Sequence, residues 1–411
     1  MSDCEPAPAS RRFVLELGRA MHALGSPSYR VEDSMVACAQ ALGMQGSFFA
    51  TPTAIFAELA AAGGQAATTL LRVQPGEHDL GKLADLYTVR NDVVGGLVSA
   101  DDGLLRIAAV LGRPASQGPL ASLPAYALTA AAAAPFLGGG WVEIACAGAI
   151  GLLVGALSLA AARLPRFRRV FEPSACAAAV FAAYACARLF GSDPGIASLA
   201  SIVPLLPGLT FTTALAELAM RHLAAGSARL LGTLALLLTM AVGVGIGVRL
   251  GQLAFGPGPE QMPVPVADFW QVPALFAAAV SFAVLLRARP AQFPAAVASV
   301  LCAFAGSRLG MLVFERELAA FVGALSVSLC ANLYARWRRA PAAVVRTPGL
   351  LLLVPGSLGL RGLTVLLRQD VVHRADLAFQ MLLVGSALVA GMLVASVLLP
   401  PPLDVEPESA A

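Results

Sequence analysis

Long apolar segments follow one another from residue 119 onward, and each is about as long as a membrane is thick. They cover residues 120–138, 142–162, 173–190, 196–212, 228–249, 270–287, 292–310, 318–335, 348–362 and 378–399. About 20 helical residues are needed to cross the hydrocarbon core of a bilayer. Hydrophobic residues make up 58% of the chain and charged residues 13%, and the mean hydropathy is +0.75. This composition lies outside the range of soluble domains. We therefore predict an α-helical polytopic membrane protein with about ten transmembrane helices.

The N-terminal residues 1–118 have ordinary polarity, and their patterns predict a small α/β domain. Apolar residues recur at helical spacing in 11–24, 30–43, 77–96 and 101–112, and short β-prone runs occupy 47–59 and 67–76. The first residues lack the basic-then-apolar order of a secretory signal. We expect this head, and the N-terminus with it, to stay in the cytoplasm.

The distribution of arginine supports this orientation, because positive charge in short loops stays cytoplasmic. With the head inside, the Arg-rich segments 163–169, 221–229, 287–289 and 336–346 all lie inside. The segments 191–195 and 256–269 lie outside and contain no Arg or Lys. Both termini are thus predicted to be cytoplasmic. The basic segment 361–376 departs from the rule, so it is either an interfacial amphipathic helix or the ninth crossing is misplaced.

Two Pro-Gly steps within apolar segments indicate an internal repeat. Pro207-Gly208 recurs as Pro355-Gly356 after 148 residues, and Arg188 and Arg336 are separated by the same 148 residues. With five crossings in each half, the second half enters the membrane from the opposite side. The prediction is a 5+5 inverted repeat, an organisation common in secondary transporters. The predicted division is a head at 1–118, membrane modules at 119–250 and 251–400, and a short acidic tail at 401–411.

The residues after the first Pro-Gly step favour a binding site. Proline removes a backbone donor and glycine permits unwound conformations, so a helix broken here exposes two half-helix ends that suit the two charges of a zwitterion. Thr210, Thr213 and Glu217 recur on one helical face, with Thr212 adjacent. Their hydroxyls suit a small polar solute, and Glu217 suits its ammonium group or a coupling proton.

A purely structural interpretation stands beside this one. Proline and glycine are frequent in membrane helices and often only kink them. Threonine can bond to the carbonyl four residues earlier. Glu217 and Arg221 are spaced to form an exposed ion pair worth roughly 0.2–0.5 kcal/mol. Because the Pro-Gly step recurs in the second half, the transport interpretation has as much support as the structural one.

Four segments together resemble the threonine/serine exporter family, in which an N-terminal and a C-terminal membrane module are fused. They are "GSPSYRVEDSMVACAQALG", "FFATPTAIFAEL", "LLPGLTFTTALAELAMRHLAAGSARLLG" and "LLLVPGSLGLRGL". The resemblance covers nearly the whole chain. It implies about ten crossings, a cytoplasmic N-terminal region, and export of threonine or serine across the bacterial inner membrane, driven by the proton motive force. A split relative of this architecture is associated with dicarboxylates such as succinate, which remain the alternative substrates.

The resemblance also points to residues in three places. In the head they are Tyr29, Arg30, Glu32, Asp33, Thr51 and Thr53. In the first half they are Pro207, Gly208, Thr210, Thr212, Thr213 and Glu217, and in the second half Pro355, Gly356, Ser357 and Arg361. The second half has a single hydroxyl at Ser357 in place of the threonine cluster. We therefore expect the second half to line the transport path and to contribute less to binding the solute. The acids of "YRVED" are interpreted as lying in the first turn of a helix, at its positive dipole end.

Other function classes have less support. The four histidines and seven cysteines show no metal-binding spacing, and no GxSxG motif marks a hydrolase. We expect no catalytic residue, metal or cofactor.

The net charge of +3 comes from short basic loops, which argues against nucleic acid as a partner. The spans are too apolar for a wide aqueous channel. The expected partners are the solute, protons and the lipid bilayer, and the sequence is compatible with a homo-oligomer.

Overall fold

The structure, a computed structural model, describes residues 8–61, 65–74, 76, 78–114, 116–257, 263–338, 341–353 and 372–401. The N-terminal part of these residues folds around a short sheet, and the remainder is helical. Parts of three predicted segments lie outside the described residues: residues 354–362 of the crossing 348–362, residues 361–371 of the basic segment 361–376, and residues 402–411 of the acidic tail.

The N-terminal residues form four helices and one three-stranded sheet. The elements are α1 (Pro8–Ala23), α2 (Ser28–Ala41), β1 (Met44–Thr51), β2 (Ala54–Ala61), β3 (Ala67–Arg72), α3 (Leu80–Val94) and α4 (Ala100–Gly112). The sheet is antiparallel throughout, in the order β1-β2-β3. Along β2, Ile55, Ala57 and Leu59 are buried and Phe56 is exposed, the alternation expected of a sheet with one covered face. The helices predicted at 11–24, 30–43, 77–96 and 101–112 all form.

The core of the head lies between this sheet and the apolar faces of the helices. Phe13, Leu17 and Met21 repeat at four-residue intervals along α1 and are fully buried. They meet Met35 of α2 and Leu86 of α3 in one cluster. The amphipathic spacing therefore predicts both the helices and the faces they bury.

The remaining described residues form a helical body. Its helices are α5 (Ser122–Ala133), α6 (Trp141–Arg163), α7 (Pro165–Arg168), α8 (Phe171–Phe190), α9 (Pro194–Ile202), α10 (Gly208–Ala219), α11 (Leu223–Phe255), α12 (Gln271–Leu285), α13 (Phe293–Gly310), α14 (Arg316–Arg338), α15 (Ala343–Leu353) and α16 (Val372–Leu398). Within the described part of the chain, seven helices are long and apolar enough to cross a membrane, or eight if the bent pair of α9 and α10 is one span. Two shorter apolar helices, Ser122–Leu137 and Ala343–Leu353, accompany them. The body is a polytopic helical membrane protein, and ten crossings stay a prediction.

The head contacts one end of this body at three loops. The backbone N–H of Leu80 donates to the carbonyl of Leu286 at 3.0 Å, and Arg289 pairs with Asp85. Ala343, at the start of α15, packs on the core of the head. The third contact is made by the α10–α11 turn, where Nδ1 of His222 lies 3.5 Å from the carboxylate of Glu32 in the head. The Arg-rich loops around residues 221–229, 287–289 and 341–346 therefore lie on the head's side of the body, as their charge predicts.

The loops predicted to lie on the other side meet at the opposite end of the body. The N–H of Val266 donates to the carbonyl of Gly139 at 3.3 Å, and the rings of Trp141 and Trp270 lie 4.7 Å apart. The N–H of Asp193 donates to the Glu143 carboxylate at 3.0 Å. The loops that contain residues 191–195 and 263–269 thus meet away from the head, on the same side of the body.

Helices α5 and α12, the first helix of each predicted half, run in opposite directions. Helix α5 leaves the head's side and α12 returns to it, and the two are joined by a hydrogen bond of 2.8 Å between the hydroxyls of Thr129 and Ser281. Helix α8 packs along α11 as α14 packs along α16. These observations agree with a 5+5 inverted repeat, which stays a prediction because the second Pro-Gly step lies outside the described residues.

Three glycines bring α11 into close contact with α8. A Cβ atom on Gly243 would lie 2.2 Å from the carbonyl oxygen of Pro173, and one on Gly247 would lie 2.6 Å from that of Ala177. On Gly251 it would meet the ring of Tyr184 at 2.6 Å. Small residues that let backbones approach are a main source of helix association in lipid, where burial of apolar surface contributes little.

This contact predicts a stability loss for Gly247→Ala. The added methyl meets backbone and cannot be accommodated by a side-chain rotation, so we expect destabilisation of about 1–3 kcal/mol. The matched control is Gly232→Ala on the same helix, where a Cβ meets nothing within 4 Å and alanine raises helix propensity. Thermal unfolding of the purified protein, followed by size-exclusion chromatography, compares the two. Equal unfolding midpoints would contradict the packing.

Candidate functional site

The apolar run from residue 194 to 219 is broken near its middle, as predicted for Pro207-Gly208. Helix α9 passes into a 3-10 turn over Val203–Leu205, and α10 starts at Gly208 with its axis bent by 56°. Two prolines, Pro204 and Pro207, remove donors here. The N–H of Gly208 donates to the carbonyl of Leu206 at 2.8 Å, and that of Phe211 donates to the carbonyl of Pro207 at 3.0 Å. These local bonds satisfy part of the backbone that the break exposes.

The threonines that follow the break differ in their surroundings. Thr212 is buried, and its hydroxyl donates to the carbonyl of Gly208 at 3.1 Å, the bond to the preceding turn that threonine often makes in helices. Thr213 is half-buried. Thr212 and Thr213 face a cavity, whereas Thr210, Pro207 and Gly208 are not among its lining residues. The side chains one turn beyond the break, and not the half-helix ends, therefore form the wall.

This cavity lies between the head and the body and has a volume of about 100 Å³. Several waters fit in such a space, since roughly 10–15 Å³ holds one. The head contributes the polar residues Ser26, Tyr29, Arg30, His78 and Tyr87. The body contributes Thr212, Thr213, Arg346 and Thr347. Hydroxyls and cationic side chains thus converge from both parts.

Arginines are the charged side chains among the described residues that line the cavity. Two lining residues are arginines, and none of the described lining residues is Asp or Glu. The guanidinium of Arg30 lies 5.7 Å from the centre of the Tyr29 ring, which holds it beside the aromatic wall. Burial raises the pKa of Tyr87, although Arg30 and Arg90 act against it, so the phenol keeps its proton. The cavity is suited to a small solute that carries a carboxylate and hydroxyl groups.

Burial also acts on His78 in the cavity wall. It lowers the pKa of His78 below the ordinary value of 6.5, and the positive charge of Arg229 lowers it further. The imidazole is therefore neutral near pH 7 and offers one donor and one acceptor. His22, which does not line the cavity, likewise has its pKa lowered mainly by burial, and its Nε2 contacts the carbonyl of Thr51 at 3.0 Å.

Glu217 does not line the cavity and does not pair with Arg221. Its side chain is fully buried, and its carboxylate accepts bonds from the Nε and a terminal nitrogen of Arg229 at 2.9 and 3.0 Å. It also accepts the backbone N–H of Ser28 at 2.9 Å. The exposed Glu217–Arg221 pair suggested by sequence spacing is wrong, because the helix ends at Ala219 and Arg221 turns outward with φ +66°. Removing one partner from such a buried pair typically costs about 3–5 kcal/mol.

The α10–α11 turn explains why Arg229 reaches Glu217. The N–H of His222 donates to the carbonyl of Glu217 at 2.8 Å, which closes the turn. Gly226 then lets α11 fold back closely, since a Cβ there would lie 2.9 Å from the carbonyl oxygen of Ala214. One further turn along α11 places the guanidinium of Arg229 over the carboxylate.

The acids of "YRVED" lie deeper in α2 than predicted. The helix starts at Ser28, so its first turn contains no acid, and Glu32 and Asp33 belong to the second turn. Glu32 accepts the N–H of Ala50 at 2.7 Å and lies 3.5 Å from Nδ1 of His222. Burial raises the pKa of Glu32, and these two contacts oppose the rise. Glu32 therefore joins α2 to β1 and to the α10–α11 turn.

The remaining predicted residues lie away from the cavity or outside the described residues. Thr51 and Thr53 are in the β1–β2 turn, where the Thr51 hydroxyl donates to the carbonyl of Ala54 at 3.0 Å and Thr53 accepts the N–H of Val73. Pro355, Gly356, Ser357 and Arg361 lie outside the described residues. Across the described ranges, no group of three or more His, Cys, Asp and Glu side chains is placed to hold a metal ion.

Sequence reasoning missed several residues of this region. Pro204 is visible in "VPLLPG" as a second proline three residues before Pro207, and this spacing was a usable sign of a wider break. Arg229 lies within the quoted segment 205–232, but its pairing with Glu217 was not predicted. His78, Tyr87 and Arg346 belong to no quoted motif and come together only through the docking of the head on the body.

The lowered pKa of His78 predicts how stability depends on pH. Below pH 6.5 the unfolded chain takes up a proton that the folded protein resists, so His78 destabilises the fold as the pH falls through 6.5. The raised pKa of Glu32 acts in the opposite direction, at lower pH. When the pH is lowered from about one unit above 6.5 to about one unit below it, the unfolding midpoint of the wild-type protein should fall. We expect the midpoint of His78→Gln to fall less over the same change. Unfolding midpoints at both pH values test this, and an unchanged loss in the variant would refute it.

Comparison with known proteins gives matches along almost the whole chain. Residues 12–251 match the family model described as "Putative threonine/serine exporter", and residues 271–398 match the model "Threonine/Serine exporter, ThrE". No solved structure matches.

Curated relatives include fungal proteins named pheromone-regulated membrane protein 10. The protein from Saccharomyces cerevisiae is 27% identical over 84% of this chain and 46% of its own length. The protein from Candida albicans is 26% identical over 85% of this chain and 32% of its own length. The protein from Kluyveromyces lactis is 26% identical over 84% of this chain and 37% of its own length. The chain thus spans less than half the length of these relatives. With the first family model covering more than half of its residues, the chain belongs to the threonine/serine exporter family of membrane proteins.

Proposed function

We propose that this protein is a secondary exporter of threonine and serine, driven by the proton motive force across a bacterial inner membrane. The head and both termini lie in the cytoplasm. The observation that carries the proposal is the cavity beside the broken helix, where Thr212 and Thr213 face Arg30 and Arg346. A hydroxylated amino acid supplies a carboxylate for the arginines and a hydroxyl for the threonines.

The architecture supports alternating access. Helices α5 and α12 run in opposite directions at the contact between the two halves, which suits halves that rock against each other about a central site. The cavity lies at the head's end of the body, between head and body, and loop contacts such as Trp141–Trp270 join the opposite end. We infer that solute enters the cavity from the side of the head.

A dicarboxylate such as succinate is the second candidate substrate, and one observation favours it. The described lining residues include two arginines and no carboxylate to pair with an ammonium group. In the threonine mechanism the ammonium group is bound by hydroxyl and carbonyl oxygens. In the dicarboxylate mechanism the two arginines bind one carboxylate each.

Flux from proteoliposomes separates these functions. Vesicles are loaded with labelled threonine, serine or succinate, and efflux is measured with and without an acidic exterior. We expect threonine and serine to leave faster with the gradient. Gradient-driven efflux of succinate alone would select the dicarboxylate function. Equal, gradient-independent flux of all three would indicate a channel, and hydrolysis without flux would indicate an enzyme.

Two isosteric substitutions on one helix locate the site. Thr213→Val removes a hydroxyl from the cavity wall, and we expect the apparent affinity for the exported solute to fall roughly two- to tenfold, the value of one hydrogen bond. Thr210→Val makes the same change outside the lining residues and should leave the affinity unchanged. Equal effects of the two variants on efflux kinetics would contradict the assignment of the cavity.

A further inference from the structure

Helix α2 begins without a capping group of its own. Its N-cap residue is Pro27, which has no side-chain hydrogen bond to the helix, and its first turn contains no acid. The N-terminus of a helix carries partial positive charge and free N–H groups, which a carboxylate stabilises. Glu217 provides this carboxylate from α10, 189 residues away, by accepting the N–H of Ser28 at 2.9 Å.

Both oxygens of this carboxylate are engaged within the protein. Arg229 binds it in a two-point contact, with Nε on Oε2 and a terminal nitrogen on Oε1. The Ser28 N–H also binds Oε1. A carboxylate with three strong donors and no exposed surface is not available to a solute in this state. Its partners join the membrane body to the head.

The segment fixed by this contact is also a wall of the cavity. Ser26, Tyr29 and Arg30 flank Ser28 and line the cavity on the side of the head. Thr212, Thr213 and Ala216 of α10 line the facing side, and Ala216 is the neighbour of Glu217. The bond between Glu217 and Ser28 therefore ties together the two walls between which a solute lies.

We propose that Glu217 is a positioning residue whose contact with Ser28 and Arg229 holds the α1–α2 turn against α10, and whose release opens the cavity on the side of the head. The gating role rests on the proposed export function, whereas the contact does not. A second attachment of the head is formed by α3, through Asp85 with Arg289 and through Leu80, which also lines the cavity, with Leu286. Release at Glu217 with retention at Asp85 allows the head to pivot.

Hydrogen exchange of the full chain tests the contact without measuring transport. In Glu217→Gln, the neutral amide leaves the charge of Arg229 uncompensated, and we expect the amides of residues 25–31 to exchange roughly tenfold faster or more, with β1 and β2 unchanged. The matched control is Glu16→Gln, which removes an exposed carboxylate of the head that lies 3.4 Å from Arg19. Unchanged exchange at 25–31 in Glu217→Gln would overturn the proposal.

Two substitutions at Ser28 isolate the backbone bond without changing any charge. Ser28→Pro removes the N–H that Glu217 accepts, at the first position of a helix, where proline is favoured. Ser28→Ala keeps the N–H and removes a hydroxyl that has no hydrogen-bond partner among the described residues. We expect faster exchange at residues 29–31 only in Ser28→Pro. Equal exchange in the two variants would refute the capping contact.

Efflux measurements on the same variants separate this proposal from the proposed function. If Glu217 positions the cavity wall, Glu217→Asp restores part of the transport lost in Glu217→Gln, and Ser28→Pro impairs transport as well. If Glu217 binds solute or carries the proton, transport is lost in Glu217→Gln while Ser28→Pro transports normally, which overturns the positioning role. If the wild-type protein exports nothing, but the variants at Glu217 and Ser28 change hydrogen exchange as predicted, export is refuted and the contact between Glu217 and Ser28 is still supported.

Discussion

One buried carboxylate, that of Glu217, joins the head to the broken helix of the membrane body. Glu217 is fully buried at the end of the broken helix, and a charge in such a place must be compensated. Its compensation comes from Arg229 on α11 and from the positive end of α2 in the head. The tight turn at His222 and the missing side chain of Gly226 bring Arg229 into reach. These contacts join the wall of the cavity that contains Tyr29 to the wall that contains Thr213.

The broken helix has a different role from the one that its Pro-Gly step first suggests. The backbone around Pro207 is partly satisfied by short local bonds, and the cavity lies one turn further along α10. The break changes the direction of the chain by 56°, which places Thr212 and Thr213 toward the head. Side-chain hydroxyls and arginines, and not helix dipoles, are then the polar groups that we propose bind the solute. This arrangement explains how an apolar body presents a polar cavity without a long hydrophilic path.

Local patterns could be predicted from the sequence, and contacts between distant segments could not. Periodicity predicts α1 to α4, because burial of Phe13, Leu17 and Met21 follows helical spacing. The lengths of the apolar runs predict the long helices, and arginine placement predicts which loops share a side. The partner of Glu217 was missed because spacing rules consider only neighbours on one helix, such as Arg221. Arg229 becomes a neighbour only after the chain reverses, and His78 and Arg346 meet only when the head docks.

The most direct measurement of the central claim is an electron cryo-microscopy map of the protein in lipid nanodiscs with threonine, at a resolution that shows side chains. The account predicts solute density in the cavity between Thr213 and Arg346, and a contact between Glu217 and Ser28 that is present when the cavity is closed and broken when it is open. Solute density at a site remote from this cavity, or a head attached in the same way in open and closed states, would contradict it.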